Sequence, residues 1–155
     1  MRRMSALDDP ASAVRASLEV ALEVTGADLG SLWLVQPDGS MARAAAVGLT
    51  AEYLAAFAAD AEWQASQRAM LSGSEVLIIE LDAPRMDTVV RPQLGSSTLV
   101  MIPLRTRGMR AGGFVLCHPE PGWFLRFSKE FLHALGESLA TALDEARRRE
   151  ELRAS

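Results

Sequence analysis

Four stretches of the chain are apolar at every position rather than at alternate ones: "LWLV" (32–35), "VLII" (76–79), "LVMIPL" (99–104) and "FVLC" (114–117). A strand reads this way when both faces of its sheet are covered. "SLWLV", the turn "QPDGS" and "MARAAAV" predict one hairpin, with Pro37, Asp38 and Gly39 supplying the turn chemistry. "STLVMIPLR", "TRGMR" and "AGGFVLCH" predict a second, and "EVLIIEL" a short separate strand.

Helical spacing governs both ends of the chain. Val14, Leu18, Ala21 and Leu22 form a stripe. Asp9 can cap that helix, Pro10 suits its first position and Gly26 its stop. Ser128 is placed to cap a final helix from Lys129, whose seam is Leu132, Leu135, Leu139, Ala142 and Ala146. Between the hairpins, "GLTAEYLAAFAADAEWQASQRAMLSG" predicts continuous helix, capped by Thr50 and ending near Gly73. "DAPRMDTVVRPQLGSS" (82–97) is a long connection. The sum is an α/β (α+β) three-layer sandwich, with a mostly antiparallel sheet of about five to six strands. The terminal helices should cover one face, and the middle helices and the 82–97 connection should form a pocket on the other.

Length and composition narrow the class. The 155 residues make one domain, with 49% apolar and 23% charged residues. The expected division is a tail over 1–9, a folded domain over 10–148 and the start of a C-terminal helix or linker over 149–155. A net charge of −4 argues against a nucleic-acid partner, which needs a basic face. No apolar run is long enough for a membrane span, and "MRRMSALDDPAS" has no apolar core of a secretory signal. A single cysteine, Cys117, makes no internal disulfide and no cysteine-rich metal cage, so a cytoplasmic location is expected.

In order, "TGADLGSLWLVQPDG", "AVGLTAEYL", "SGSEVLIIEL", "SSTLVMIPL", "GGFVLCH" and "FSKEFLHALGESLATALDEA" resemble the phrases of a GAF domain over about residues 10 to 148. Each phrase is degenerate, but six in register are specific for the fold. The resemblance implies a sensory and regulatory module that binds a small molecule and dimerises through its terminal helices. It also implies an output domain such as a histidine kinase. It names no cofactor for this chain.

The candidate chemistry is sparse. Neighbours on a strand point to opposite faces, so Cys117 goes with Val115, and His118 with Phe114 and Leu116. Cys117 and His118 therefore do not form a thiolate–imidazole pair, and the cysteine reads as a small buried hydrophobe. The resemblance suggests a pocket lined by Phe114, Leu116, His118 and Trp63, with Met86, Val90 and Arg91 from the connection above. Arg91 in that position could clamp a carboxylate or phosphate. The alternative for His118 is a strand-end histidine that hydrogen-bonds a loop.

Family variants are less well matched. The phytochrome branch attaches a bilin through a cysteine in the connection, which here has none. The cyclic-nucleotide members carry an Asn-Lys signature, and this chain has no Asn and only Lys129. The methionine sulfoxide reductases need several cysteines. His118 and His133 lack a local metal-ligand spacing. Arg105, Arg107 and Arg110 crowd one hairpin turn and read as a solvated tip. The leading expectation is a non-catalytic sensor domain. A dimerisation and signal-relay module without ligand is the second, and a sulfoxide reductase the third.

Overall fold

The computed structural model describes residues 10–81 and 95–154. In chain order the elements are α1 (Pro10–Thr25), β1 (Leu29–Val35), β2 (Met41–Val47), α2 (Ala51–Ala58), α3 (Ala61–Leu71), β3 (Leu77–Glu80), β4 (Thr98–Thr106), β5 (Met109–His118) and α4 (Lys129–Ala154). A 3₁₀ turn over Trp123–Arg126 precedes α4. The strands form one sheet in the order β2-β1-β5-β4-β3, with every neighbouring pair antiparallel. The architecture is α+β, as the patterning predicts.

Thr50 and Ser128 act where the sequence places them, and Asp9 lies outside the described residues. Thr50 Oγ1 accepts the Tyr53 N–H at 3.0 Å, and Ser128 Oγ accepts the Phe131 N–H at 3.1 Å. The middle helix is two helices rather than one. The chain leaves helical geometry at Asp60, whose carboxylate caps α3 by accepting the Trp63 N–H at 2.9 Å. The Asp inside "AADAEW" is thus a start signal within an apparently continuous helical run.

Two cores lie on opposite sides of the sheet. On one, Leu18, Ala21 and Leu22 of α1 and Leu132, Ala140, Leu143 and Ala146 of α4 pack against Leu32, Val100, Ile102, Leu104, Phe114 and Leu116. On α4 the buried positions are Leu132, Gly136, Ala140, Leu143 and Ala146, while Leu135 and Leu139 stay partly exposed. Of the predicted seam, Leu132 and Ala146 lie in the core, and Leu135, Leu139 and Ala142 lie at its edge. Gly136 fixes the orientation: a Cβ there would run into the Pro103 carbonyl oxygen and lie 2.9 Å from Ile102 Cγ2. Only a glycine lets the α4 backbone lie this close to β4.

On the other side, Phe57 of α2 and Trp63, Met70 and Leu71 of α3 pack against Trp33, Leu99, Met101 and Val115. Burial on both sides makes β1 and β4 almost continuously buried, and β5 over residues 112–116, as their unbroken apolar runs require.

Candidate functional site

The α2/α3 side of the sheet carries the aromatic and polar groups. Trp33 on β1, Tyr53 and Phe57 on α2 and Trp63 on α3 form an edge-to-face cluster. Ring centroids lie 5.8 Å apart for Trp33–Phe57 and 5.1 Å for both Phe57–Trp63 and Tyr53–Trp63. The Trp33 indole N–H donates to Ser31 Oγ at 2.9 Å, one pleat along the same face.

Arg43 lies across this cluster. Its guanidinium carbon is 4.7 Å from the Trp33 ring centroid and 4.8 Å from that of Phe57. Its Nε is enclosed and has no hydrogen-bond partner. Burial holds the Arg43 pKa below its ordinary value. A β-bulge places the side chain here. Leu32 pairs with Ala45 and Trp33 with Arg43, so Ala44 is the extra residue. Without the bulge, Arg43 would point to the terminal-helix side.

Beside the cluster lies Cys117. Burial, reinforced by the Asp28 charge and offset in part by the Ser96 hydroxyl, pushes its thiol up to about 12. Tyr53 is likewise raised to about 12, chiefly by burial and then by Cys117, with Arg43 opposing. A thiol at that value stays protonated at neutral pH and is a poor nucleophile.

The expected pocket residues do not come together. Trp63 is on the α2/α3 side. Phe114 and Leu116 are fully buried on the opposite side, against α1 and α4. His118 shares their strand parity and ends in a different environment. Its ring stacks on Trp123 with centroids 3.9 Å apart and planes 3° from parallel, and its Nδ1 accepts the Glu120 N–H at 2.9 Å. Trp123 in turn donates its indole N–H to the Thr25 carbonyl at 2.8 Å, tying the end of α1 to the lead-in of α4. His118 is therefore a strand-end histidine that organises a loop. Met86, Val90 and Arg91 lie outside the described residues.

Strand alternation correctly groups Cys117 with Val115, and His118 with Phe114 and Leu116. It does not say which group meets which helical layer, and the expected pocket joined Phe114 and Leu116 to Trp63 across the sheet. Trp33, Tyr53, Phe57 and Arg43 were missed. Trp33 and Phe57 sit in apolar runs that look like ordinary core, and nothing in "MARAAAV" marks a bulge.

Among the described residues, no group of three or more His, Cys, Asp and Glu is placed to hold a metal ion, and no helix is long and apolar enough to cross a membrane.

The fold and this site can be set beside known proteins. Solved structures similar to the chain include the domain of a putative two-component sensor histidine kinase from Sinorhizobium meliloti, at 20% identity and TM-score 0.62, covering 90% of this chain and 94% of that one. The GAF domain of a putative sensor histidine kinase from Pseudomonas syringae pv. tomato matches at 20% identity and TM-score 0.57, over 94% and 81%. The GAF-B domain of DevS from Mycobacterium smegmatis matches at 21% and 0.58, over 93% and 99%. At these identities the likeness is one of fold. No curated protein sequence matches the chain. The family model for the GAF domain matches residues 8–144, nearly the whole of the sequence and every strand of the sheet, and the chain belongs to the GAF domain family.

Proposed function

We propose that the chain is a sensory and regulatory domain of a bacterial signal-transduction protein, with no catalysis of its own. A small molecule binds on the α2/α3 side of the sheet and shifts the terminal helices. Those helices hold a homodimer and lead to an output domain such as a histidine kinase. The observation that supports this is the four-ring cluster crossed by the half-buried Arg43, on the sheet face away from α1 and α4. An apolar, aromatic wall with a few placed polar groups is the usual make-up of a small-molecule site. Trp63 stays in the ligand set, now with Trp33, Tyr53, Phe57 and Arg43, and Met86, Val90 and Arg91 stay as contacts from the connection. Phe114, Leu116 and His118 leave it, because the sheet separates them from Trp63.

The terminal helices supply the output side. Val20 and Val24 on α1 are each 42% exposed, and Phe131 on α4 is 44% exposed. Together with the partly buried Leu135 and Leu139 they leave apolar surface that covering the sheet does not use. A second copy can bury it by two-fold symmetry. Beyond its packed part, α4 continues as unbroken helix through the charged stretch to Ala154, which suits a connection to a further domain. A ligand moves this arrangement only by binding one state of the helices better than the other.

A second reading is a relay module without ligand. The ring-on-ring packing of Trp33, Phe57, Trp63 and Tyr53 favours it, because the rings already fill one another's edges. Native mass spectrometry of freshly purified protein separates the two. The sensor reading expects a dimer carrying a bound small molecule. A dimer with no added mass, even after exposure to a cell extract, supports the relay, and a monomer at every concentration removes the dimer from both.

A further inference from the structure

The sheet has two β-bulges, and each turns an arginine onto the α2/α3 side. The first places Arg43. In the second, Leu104 pairs with Gly112 and Arg105 with Arg110, so Ala111 is the extra residue in β5. Arg110 then lies opposite Arg105, a like-charge pair across the strands that is unfavourable by itself. It sits under the C-terminal end of α3, where its Nη1 donates to the Gly73 carbonyl. Its Nε and Nη2 are enclosed and have no acceptor. Burial first, and Arg105 second, hold its pKa below the ordinary value. A guanidinium does not shed its proton at physiological pH, so these N–H groups stay charged and unpartnered.

Arg110 lines an open cleft of about 380 Å³, between the β1–β2 turn and the end of α3. Arg68, Ser40, Ser72 and Met41 also line it, and no Asp or Glu does. The acid nearest in sequence, Asp38, is already engaged by the amide and hydroxyl of Ser40, at 3.0 and 2.6 Å. An acidic protein has thus set two arginines, Arg68 of α3 and Arg110 of β5, on one cleft, with Arg105 opposite Arg110 and no carboxylate among the lining residues.

We infer that this cleft binds a small oxyanion, the phosphate or carboxylate group of a metabolite, held between the guanidinium groups of Arg110 and Arg68. The planar fork of arginine suits either group: Arg68 meets it from the cleft, and Arg110, whose Nε and Nη2 are enclosed in the wall, supplies charge and must turn these donors outward to reach it. An anion there also relieves the repulsion between Arg105 and Arg110. The site is separate from the aromatic cluster, although Met41 touches both, and it stands whether or not a ligand binds over the rings.

The test is a ¹⁵N NMR titration of the whole chain, first with sodium phosphate and then with sodium acetate, with ionic strength held constant by sodium chloride. The expected result is a saturable shift of the Arg110 and Arg68 Nε–H signals and of the Gly39 and Ser72 amides. Whichever probe binds more tightly identifies the group as phosphate or carboxylate. Arg110→Gln should weaken binding by roughly tenfold or more, the scale of a lost charged hydrogen bond. Arg68→Gln should weaken it by a smaller factor, and that variant decides the matter if Arg110→Gln does not fold. Arg15→Gln, on α1 and already paired with Glu19, should leave it unchanged. Shifts that never saturate, that chloride reproduces, or that survive both substitutions would overturn the assignment.

Discussion

The two faces of the sheet are built from different materials. The terminal-helix side is aliphatic, with Leu, Ile, Val and Ala from α1, α4 and the strands closing around Phe114 and Phe124, and α4 drawn close by Gly136. The α2/α3 side holds two of the three tryptophans, the tyrosine, Cys117 and the two bulge-directed arginines. An interior that only has to exclude water does best with hydrocarbon at high density. Unpartnered guanidinium nitrogens and clustered indoles weaken such an interior, and they are tolerated where a face has something to recognise. On the proposed function, one side serves stability and the other recognition.

The largest expected effect lies on the aliphatic side. Leu132 is fully buried between α4 and the sheet. Leu132→Ala should cost about 2–5 kcal/mol in urea unfolding, because the cavity cannot collapse against the rigid sheet. Gly136→Ala should cost less, about 1–3 kcal/mol, since the new methyl meets the Pro103 carbonyl, which cannot swing away as a side chain can. If Gly136→Ala is neutral, α4 does not lie as close to β4 as described.

On the recognition side the same assay should barely move. Arg43→Met keeps the bulk over Trp33 and Phe57 and removes the unpartnered Nε. Loss of the cation–π contact and relief of the enclosed donor oppose each other, and the net change should be within about 1 kcal/mol. A loss as large as that of Leu132→Ala would make Arg43 a structural residue and erase the distinction between the faces.

A pH-dependent effect, absent at neutral pH, also belongs to this side. Burial raises the Cys117 thiol from 9.0 and the Tyr53 hydroxyl from 10.0, each to about 12. Both groups hold their protons more tightly in the folded chain. Above pH 9 the unfolded chain loses its protons first, so stability is full below pH 9 and falls as the pH rises towards 12. Denaturation at a series of alkaline pH values should show this fall. Cys117→Ala should flatten the part that begins near pH 9, and Tyr53→Phe the part that begins near pH 10. A fall that neither substitution changes would mean that these groups are hydrated in the native state.

The sequence carried most of the frame and little of the site, for physical reasons. Continuous apolar runs announced a sheet covered on both sides, and Thr50, Ser128 and Gly26 announced helix ends, because these are local signals. Period-two alternation sorted β5 into two sets of residues, but it is symmetric and left open which set meets α1 and α4. Only the tertiary arrangement breaks that symmetry, and Phe114 and Leu116 went to the other side from Trp63. The arginines were less legible still. A bulge shifts parity by one extra residue, here Ala44 and Ala111, and an alanine in either place looks like any other strand alanine. Arg110 read as part of a solvated tip rather than a phosphate site because it crowds one turn with Arg105 and Arg107, no aromatic interleaves them and the chain is acidic.

The tryptophans offer the most direct test of the division between the faces. Trp33 and Trp63 lie in the aromatic cluster, and Trp123 lies beyond the sheet against Thr25 and His118. Their three indole N–H signals can be followed in one ¹⁵N spectrum while the whole chain is screened against small molecules. The account predicts that binders shift the Trp33 and Trp63 signals directly, with Trp123 moving little or not at all. Binders that shift Trp123 and leave Trp33 and Trp63 in place would contradict it, because recognition would then belong to the terminal-helix side.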